Sequence, residues 1–249
     1  MLTKQSIKYI QSLQHKKFRD EYGVFVAEGP KMVEELLASA KFECDSIFSL
    51  AKWVESVDSS LLESVAGKIQ LIEAFELEKI AHYSTPNAVV AVFRKRTPIE
   101  LIDTKGNITL VLDGIQDPGN LGTIIRNADW FGIKNIVCSA TTVDMYNSKV
   151  VQSTMASLAR VDIFYTDLNS WLGSHHDVKI LATVLDGSPI HLTQRPKEAI
   201  VIIGNESNGI NTELLQFADE KITISRFGMA ESLNAGVASG IVLYELLRE

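Results

Sequence analysis

Cysteine is scarce in this chain. Only Cys44 and Cys138 occur, far apart and outside any metal-ligand spacing. That excludes a disulfide framework and a thiolate metal centre, and it makes a reduced, cytoplasmic setting the expectation. Both cysteines read as small core hydrophobes. Long apolar runs are also missing. None approaches the roughly 18 to 20 residues of a membrane span, and the opening MLTKQSIKYIQSLQ has no continuous apolar core for a signal peptide. The five histidines are His15, His82, His175, His176 and His191, and only the adjacent pair is close in sequence. That pair lies in a polar Gly-Ser-His-His-Asp stretch that reads as loop, so no metal is expected. Several catalytic signatures are absent as well: no G-x-G-x-x-G after a strand, no G-x-x-x-x-G-K-[ST], no H-E-x-x-H and no G-x-S-x-G. A dinucleotide fold, a phosphate loop, a zinc hydrolase and a serine hydrolase elbow therefore find no support.

Excess positive charge is lacking too. The formal net charge of −7 argues against a generic nucleic-acid binder. Local clusters nevertheless exist: Lys4, Lys8, His15, Lys16, Lys17 and Arg19 at the start, and Arg94, Lys95 and Arg96 further on. Screening over about 8 Å lets such patches coexist with an acidic remainder. Each patch reads equally as a solvated face.

What remains is an ordinary globular composition, 46% hydrophobic and 22% charged over 249 residues, enough for one large domain or two modest ones. Residues 1–95 read as a small α/β unit. A basic helix spans Ser6 to about Leu13, Phe25–Ala27 is a short strand, and Pro30 opens a helix through Leu37. Further elements alternate through Ser46–Leu50, Leu61–Ala66, Ile69–Ile72 and Glu76–Ile80, and Asn87–Phe93 closes the unit as a strand. Composition then shifts toward charge, with 96–106 as the linker. Beyond it, Ile108–Leu112, Asn135–Cys138, Ile180–Val184, Ile200–Ile203 and Ile222–Ile224 are short and nearly continuously apolar, as parallel strands covered on both faces are. Helices are expected at Leu121–Phe131, Lys149–Leu158, Leu168–Gly173, Asn211–Phe217 and the C-terminus. The fold class is α/β, with a parallel-sheet domain at 107–249.

Three polar loops follow predicted strands, where parallel sheets bind ligands. The first is Asp113 to Gly122, leading into Thr123-Ile124-Ile125-Arg126. Asn120 is expected as its N-cap, with Arg126 on the second turn. An arginine among Ile124, Ile125, Ala128 and Trp130 suits an anion or a partner, or else snorkels to a surface ion pair. The second is Gly204-Asn205-Glu206-Ser207-Asn208-Gly209, where two glycines permit close backbone approach around a carboxylate; a plain glycine-rich turn would look the same. The third is Ser232-Leu233-Asn234, opening a helix with Gly236, Ser239 and Gly240 on one side. Two interior glycines, each costing about 1 kcal/mol against alanine, imply close approach of another backbone or a ligand. Leu233, Val237, Ile241 and Tyr244 form an apolar stripe on that helix that needs a partner. A capped, tightly packed terminal helix is the plainer alternative.

Asn120-x-Gly122-x-x-x-Arg126, Gly204-x-Glu206-x-x-Gly209, and Ile224 to Gly228 leading to Ser232-Leu233-Asn234 resemble, in order and spacing, the three motifs of the SpoU (TrmH-like) RNA ribose 2′-O-methyltransferases of the SPOUT class. The resemblance covers about 107–249. Residues 1–95, with Phe25-Val26-Ala27-Glu28-Gly29, more loosely resemble the ribosomal protein L30e-like domain that binds substrate in this family. The resemblance implies a deep trefoil knot in the C-terminal domain and a homodimer that buries the terminal helix. It also implies S-adenosylmethionine (SAM) as cofactor and ribosomal or transfer RNA as substrate. Carried over by position, Arg126, Asn120, Glu206, Ser232 and Asn234 form the reaction site, with Glu206 and Asn120 holding the guanidinium and the hydroxyl. Thr183, Val184, Gly204, Glu206, Gly209, Ile224, Ser232 and Leu233 meet the cofactor. Lys4, Lys8, Lys16, Lys17, Arg19 and Arg226 are the candidate RNA contacts. The third motif departs from the family's Ile-Pro-Met, reading Ile224-Ser225-Arg226. An assembly factor that has lost catalysis and a base methylase of the wider knotted class are the alternatives, the latter disfavoured by the paired first and third motifs.

Overall fold

The computed structural model describes residues 1–82, 87–97 and 104–248. The expected linker of 96–106 lies for the most part outside them. Two compact units emerge, one within Met1–Thr97 and Asp144–Ala159, the other within Pro98–Val143 and Arg160–Glu249. The segment Asp144–Ala159, expected in the second domain, thus packs with the first.

The first unit runs α1 (Lys4–Ser12), α2 (Lys16–Tyr22), β1 (Val24–Glu28), α3 (Pro30–Ala38), β2 (Cys44–Ser49), α4 (Ala51–Ser56), α5 (Ser59–Ser64), β3 (Ile69–Leu71), α6 (Ala74–Ile80) and β4 (Val89–Arg94). Its sheet has the order β1-β4-β2-β3. Strand β4 is antiparallel to β1 and β2, while β2 and β3 are parallel. All of β1 and all of β4 but Arg94 are buried, as their continuous apolar runs dictate. Over one face, Ile10 and Leu13 pack with Leu77, Ile80, Val26 and Val92. Helix α2 has no counterpart in the sequence reading, because Lys16-Lys17-Phe18-Arg19-Asp20-Glu21 carries too few apolar residues to show a helical period. It stops at Gly23, whose φ of 66° ends the helix in the left-handed region.

One candidate RNA contact is removed by the fold. Arg19 is only 2% exposed. Its guanidinium pairs with Asp144 at 2.6 Å and donates to the carbonyls of Leu13 and Gln14 at 3.0 and 2.8 Å. Arg19 therefore ties α2 and the turn before it to the Asp144 segment, where Tyr146 also lies 4.8 Å, ring to ring, from Phe25. Lys4, Lys8, Lys16 and Lys17 are exposed, as expected. The second basic cluster is matched by acids: Arg94 meets Glu43 and Asp45, and Lys95 meets Asp20.

In the second unit, β5 (Ile108–Leu112) leads into α7 (Pro118–Trp130) and β6 (Asn135–Ser139). After the excursion that carries α8 (Ser148–Ser153), the chain continues through β7 (Asp162–Thr166), α9 (Leu168–Gly173), β8 (Ile180–Pro189), β9 (Ala199–Ile203), β10 (Glu220–Thr223) and α10 (Ala235–Leu247). The six strands lie in the order β10-β8-β9-β5-β6-β7, and every adjacent pair is parallel. Central β5 and β9 are buried at every residue.

Three expectations change here. Strand β7 was not foreseen, because it sits at the sheet edge and its Asp-Ile-Phe-Tyr-Thr run is only partly buried. The expected helix 149–158 is cut short: Met155 and Ala156 take φ of 48° and 75°, which L-residues avoid within a helix. The expected helix at 211–217 is a 3-10 turn, Leu214–Phe217. No helix among the described residues is long and apolar enough to cross a membrane.

Because β10, β8, β9 and β5 are parallel neighbours, their C-terminal ends lie along one edge. The loops that leave them carry the residues singled out above. Strands β10 and β8 also change register there. Lys221 pairs with Ala182, but Ile222 pairs with Ser188, so Thr183–Gly187 stands out of the ladder.

Candidate active site

The first loop begins at Asp113 and turns at Gly114, whose φ is 68°. Asp117, not Asn120, caps α7: its carboxylate accepts the Asn120 N–H at 2.9 Å, and Pro118 occupies the first helical position. With the helix starting earlier, Asn120 lies inside its first turn and Arg126 on its third. The Asp-Pro pair was the available signal.

The second loop is locked to the first. Asn205 donates from Nδ2 to the Gly114 carbonyl at 2.6 Å, while its own backbone exchanges bonds with Gly209 at 3.0 and 2.9 Å. Its Oδ1 accepts the N–H groups of Ser207 and Asn208. Asn205 went unnoticed in the sequence, where the flanking glycines draw attention. Gly204 is required by space: a Cβ there would lie 2.3 Å from the Gly209 carbonyl carbon. Gly187, also unnoticed, is similarly required, with a Cβ falling 2.7 Å from the Ile222 carbonyl carbon. At both positions the nearest atoms are those of the main chain.

The three motifs meet through Asn120, which is 8% exposed. Its Nδ2 donates to the Glu206 carboxylate, and its Oδ1 accepts from Asn234 Nδ2 at 2.7 Å. An ionised carboxylate only accepts, so Glu206 fixes which way the Asn120 amide points, and that in turn fixes Asn234. Asn234 Oδ1 then caps α10 by accepting from Val237 N–H at 3.2 Å. One hydrogen-bonded line thus runs from the second loop, through α7, to the start of α10.

Arg126 is not part of that line. It is exposed on α7, with no hydrogen-bond or ion-pair partner among the described residues. Glu206 and Asn120, expected to hold the guanidinium and the hydroxyl, are here bonded to each other and not to Arg126. Ser232 and Leu233 are exposed; Thr183 and Val184 are half-buried within β8, just beyond its pairing with β9, and Ile224 is half-buried just after β10. Gly209 is exposed with φ 68°. Arg226 is exposed, reaching the Ala230 carbonyl only at 3.4 Å. Its neighbours Phe227 and Met229 are 99% and 97% exposed, an apolar pair in a polar loop.

Helix α10 packs on α7 through its small residues. A Cβ at Gly236 would come within 2.9 Å of the Thr123 methyl, and Asn127 Nδ2 donates to Gly236 O and Ser239 Oγ at 2.8 and 2.9 Å. Close approach is thus the reason for the helical glycine. The side buried within the unit holds Ala235, Gly236, Ser239, Val242, Leu243 and Leu246. The apolar stripe points elsewhere: Leu233, Val237 and Tyr244 are 46%, 52% and 56% exposed.

No cluster of three metal-ligating side chains occurs among the described residues. Neither cysteine is poised as a nucleophile. Burial pushes the Cys44 thiol up to about 11 and raises Cys138 further, so both stay protonated at neutral pH.

With this geometry in hand, comparison with known proteins is specific. The SpoU rRNA Methylase family matches residues 107–244, and the MRM3-like substrate binding domain matches residues 4–91. A 23S rRNA (guanosine(2553)-2′-O)-methyltransferase, RlmP of Bacillus subtilis, is 31% identical over 97% of this chain and 96% of its own. The structure of an AdoMet-bound rRNA methyltransferase from Sinorhizobium meliloti superposes with a TM-score of 0.89 at 31% identity, covering 100% of this chain and 96% of that one. A protein from Porphyromonas gingivalis, assigned to the TrmH family of RNA methyltransferases, gives 0.88 at 31% identity over 100% and 99%.

Proposed function

The chain belongs to the SpoU rRNA methylase family, and from that membership we propose that it transfers a methyl group from SAM to a ribose 2′-hydroxyl of structured RNA, ribosomal RNA first. The observation that carries the reading is the hydrogen-bonded line Glu206–Asn120–Asn234, which joins three strand-end loops on one sheet edge. Likeness to the relatives that act on ribosomal RNA, and to the one with AdoMet bound, supports it.

The residues present fit the cofactor. Gly187 and Gly204 let neighbouring segments of the chain's own backbone approach closely, which packs the loops at this sheet edge beside the half-buried Thr183, Val184 and Ile224. Thr183, Val184, Gly204, Glu206, Gly209, Ile224, Ser232 and Leu233 would border it. When bound, SAM supplies an electrophilic methyl on a sulfonium.

The chain's own residues align the 2′-hydroxyl with that methyl, at about 3 Å for an in-line displacement, and assist loss of its proton. Arg126 has no hydrogen-bond or ion-pair partner among the described residues. A guanidinium carries no free lone pair to accept a proton at neutral pH, so Arg126 orients the RNA phosphate and stabilises the developing alkoxide. The proton departs through phosphate or water. Asn120 keeps Glu206 in place, Asn234 holds the helix start beside it, and Ser232, exposed just before, orients the ribose. Lys4, Lys8, Lys16, Lys17 and Arg226 are the proposed RNA contacts.

The exposed stripe of Leu233, Val237 and Tyr244 supports a homodimer formed through α10. Val237→Glu is expected to convert the dimer to a monomer in analytical ultracentrifugation; a wild-type chain that sediments as a monomer at working concentration refutes this. The trefoil knot is carried over as a proposal from membership of the family. An experimental trace in which 224–234 passes outside the preceding loops would exclude it. We place the protein in the cytoplasm, where its buried thiols stay reduced; recovery with membranes on cell fractionation would contradict that.

Two measurements test the function. Calorimetry is expected to show SAM binding, and mapping of 2′-O-methylation in total RNA is expected to lose a site when the gene is deleted and regain it on complementation. Absence of SAM binding would sink the catalytic reading and leave an RNA-binding assembly factor.

A further inference from the structure

Outside the strand-end loops, a cavity of about 570 Å³ opens in the first unit beside α1 and α2. Ser6, Lys8, Tyr9, Ser12, Phe18 and Tyr22 line it. Its aromatic side is ordered. Phe18 and Tyr22, four residues apart on α2, stack with centroids 6.4 Å apart and planes 14° from parallel. Tyr9 of α1 meets Tyr22 edge-on at 5.2 Å and 71°. Tyr9 packs partly against the core, but Tyr22 is 45% exposed, Tyr9 and Phe18 are only half-buried, and neither phenolic hydroxyl has a hydrogen-bond partner among the described residues.

Lysines gather at the cavity, with Asp45 the carboxylate that acts on Tyr9. In a chain of net charge −7, Lys4, Lys8 and Lys17 are exposed here without an acidic partner among the described residues, and the Lys17 ammonium lies 5.8 Å from the Phe18 centroid. Only Lys16 is paired, with Asp20 at 3.2 Å. Stacked aromatic faces, free hydroxyls and unpaired ammonium groups form the combination that single-stranded nucleic acid selects. A base stacks on an aromatic face whatever its identity, while cations meet the adjoining phosphates. A rigid duplex keeps its bases in the stack and cannot use such a cavity.

We propose that this cavity holds an unpaired nucleotide of the RNA substrate, its base against Tyr22 and Phe18 and its flanking phosphates on Lys8 and Lys17. The site rests on the RNA-methylation reading for its partner, but lies in the other unit and uses none of the proposed catalytic residues. It makes a single-stranded loop or bulge, rather than a helical arm, the element recognised here.

The test uses the full-length protein and a fluorescein-labelled uridine decamer, read by anisotropy. Tyr22→Ala is expected to weaken binding about 5- to 150-fold, the range that stacking of one base spans, whereas Tyr22→Phe keeps the aromatic face and stays within about threefold of wild type. Phe18→Leu, which preserves apolar volume but not the ring, should weaken binding in the same direction. A blunt RNA duplex should compete at least about tenfold less well than unlabelled decamer. Lys8→Ala should lower the salt slope by about 0.7. A wild-type protein that ignores the decamer overturns the proposal. So does wild-type affinity in both Tyr22→Ala and Phe18→Leu, or equal competition by duplex. Methyl transfer separates this site from the catalytic reading. Tyr22-dependent decamer binding without any transfer leaves the site standing and the enzyme reading fallen. Transfer to ribosomal RNA with an unchanged KM in Tyr22→Ala does the opposite.

Discussion

Replacing Arg126 with alanine is expected to lower kcat about 10²- to 10³-fold, the usual loss for one preorganised donor aimed at developing negative charge, while the Kd for SAM stays within about twofold of wild type. The structure sets up this separation. Arg126 is exposed on α7 and bonded to nothing among the described residues, so its removal leaves no buried group stranded. Asn120, Glu206 and Asn234 keep their mutual bonds without it. Thermal unfolding of Arg126→Ala should therefore match wild type. Lysine at this position retains charge but not the planar fork, and should restore only part of the rate. Single-turnover transfer to ribosomal RNA, alongside SAM calorimetry, measures both quantities. Equal losses in rate and SAM affinity would mean that Arg126 belongs to the cofactor site, and the division of roles would fail.

The largest stability effect is expected at Arg19. Arg19→Met removes the partner of Asp144, whose side chain is only 11% exposed, and deprives the Leu13 and Gln14 carbonyls of their donor. Breaking a buried pair from one side costs about 3–5 kcal/mol, because the remaining charge stays desolvated. Against a typical total of about 5–15 kcal/mol, that is a large fraction. Urea unfolding of the full chain should show a clearly lower midpoint with little change in slope. The paired change Arg19→Met with Asp144→Leu should recover much of the loss, since no charge is then left buried. A single variant that folds like wild type but loses RNA affinity would restore Arg19 to the RNA-binding face, and would show that the ion pair contributes little.

Much of the fold was legible because its strands carry local signals. Runs such as Ile108–Leu112 and Ala199–Ile203 are apolar without alternation, which only a sheet covered on both faces accommodates, and both are buried throughout. Where the signal depended on neighbours, it failed. Strand β7 is an edge strand with one partner, α2 is mostly charged, and the break after α8 follows from backbone angles at Met155 and Ala156 that no composition announces. The stripe on α10 was legible as a pattern but not as a direction. Its small residues turned out to face α7, Val242, Leu243 and Leu246 to be buried within the unit, and the stripe residues Leu233, Val237 and Tyr244 to be exposed.

The candidate site divides in the same way. Residue type and spacing single out Asn120, Arg126, Gly204, Glu206 and Asn234, since glycines and polar groups after apolar strands are local features. Sequence also establishes the family, because three motifs in order are a property of the string. Which of these residues touch is a matter of three dimensions. Asn120 lies 86 positions from Glu206 and 114 from Asn234, and only parallel strands sharing one edge bring those loops together. Burial decided the rest. It turned Arg19 from an RNA contact into a structural tie, left Arg126 exposed without a partner among the described residues, and left the rings of Tyr9, Phe18 and Tyr22 partly exposed beside lysines that sequence had read as charge alone. Spacing along a chain sets what each residue is able to do; the company it keeps across the fold sets what it does.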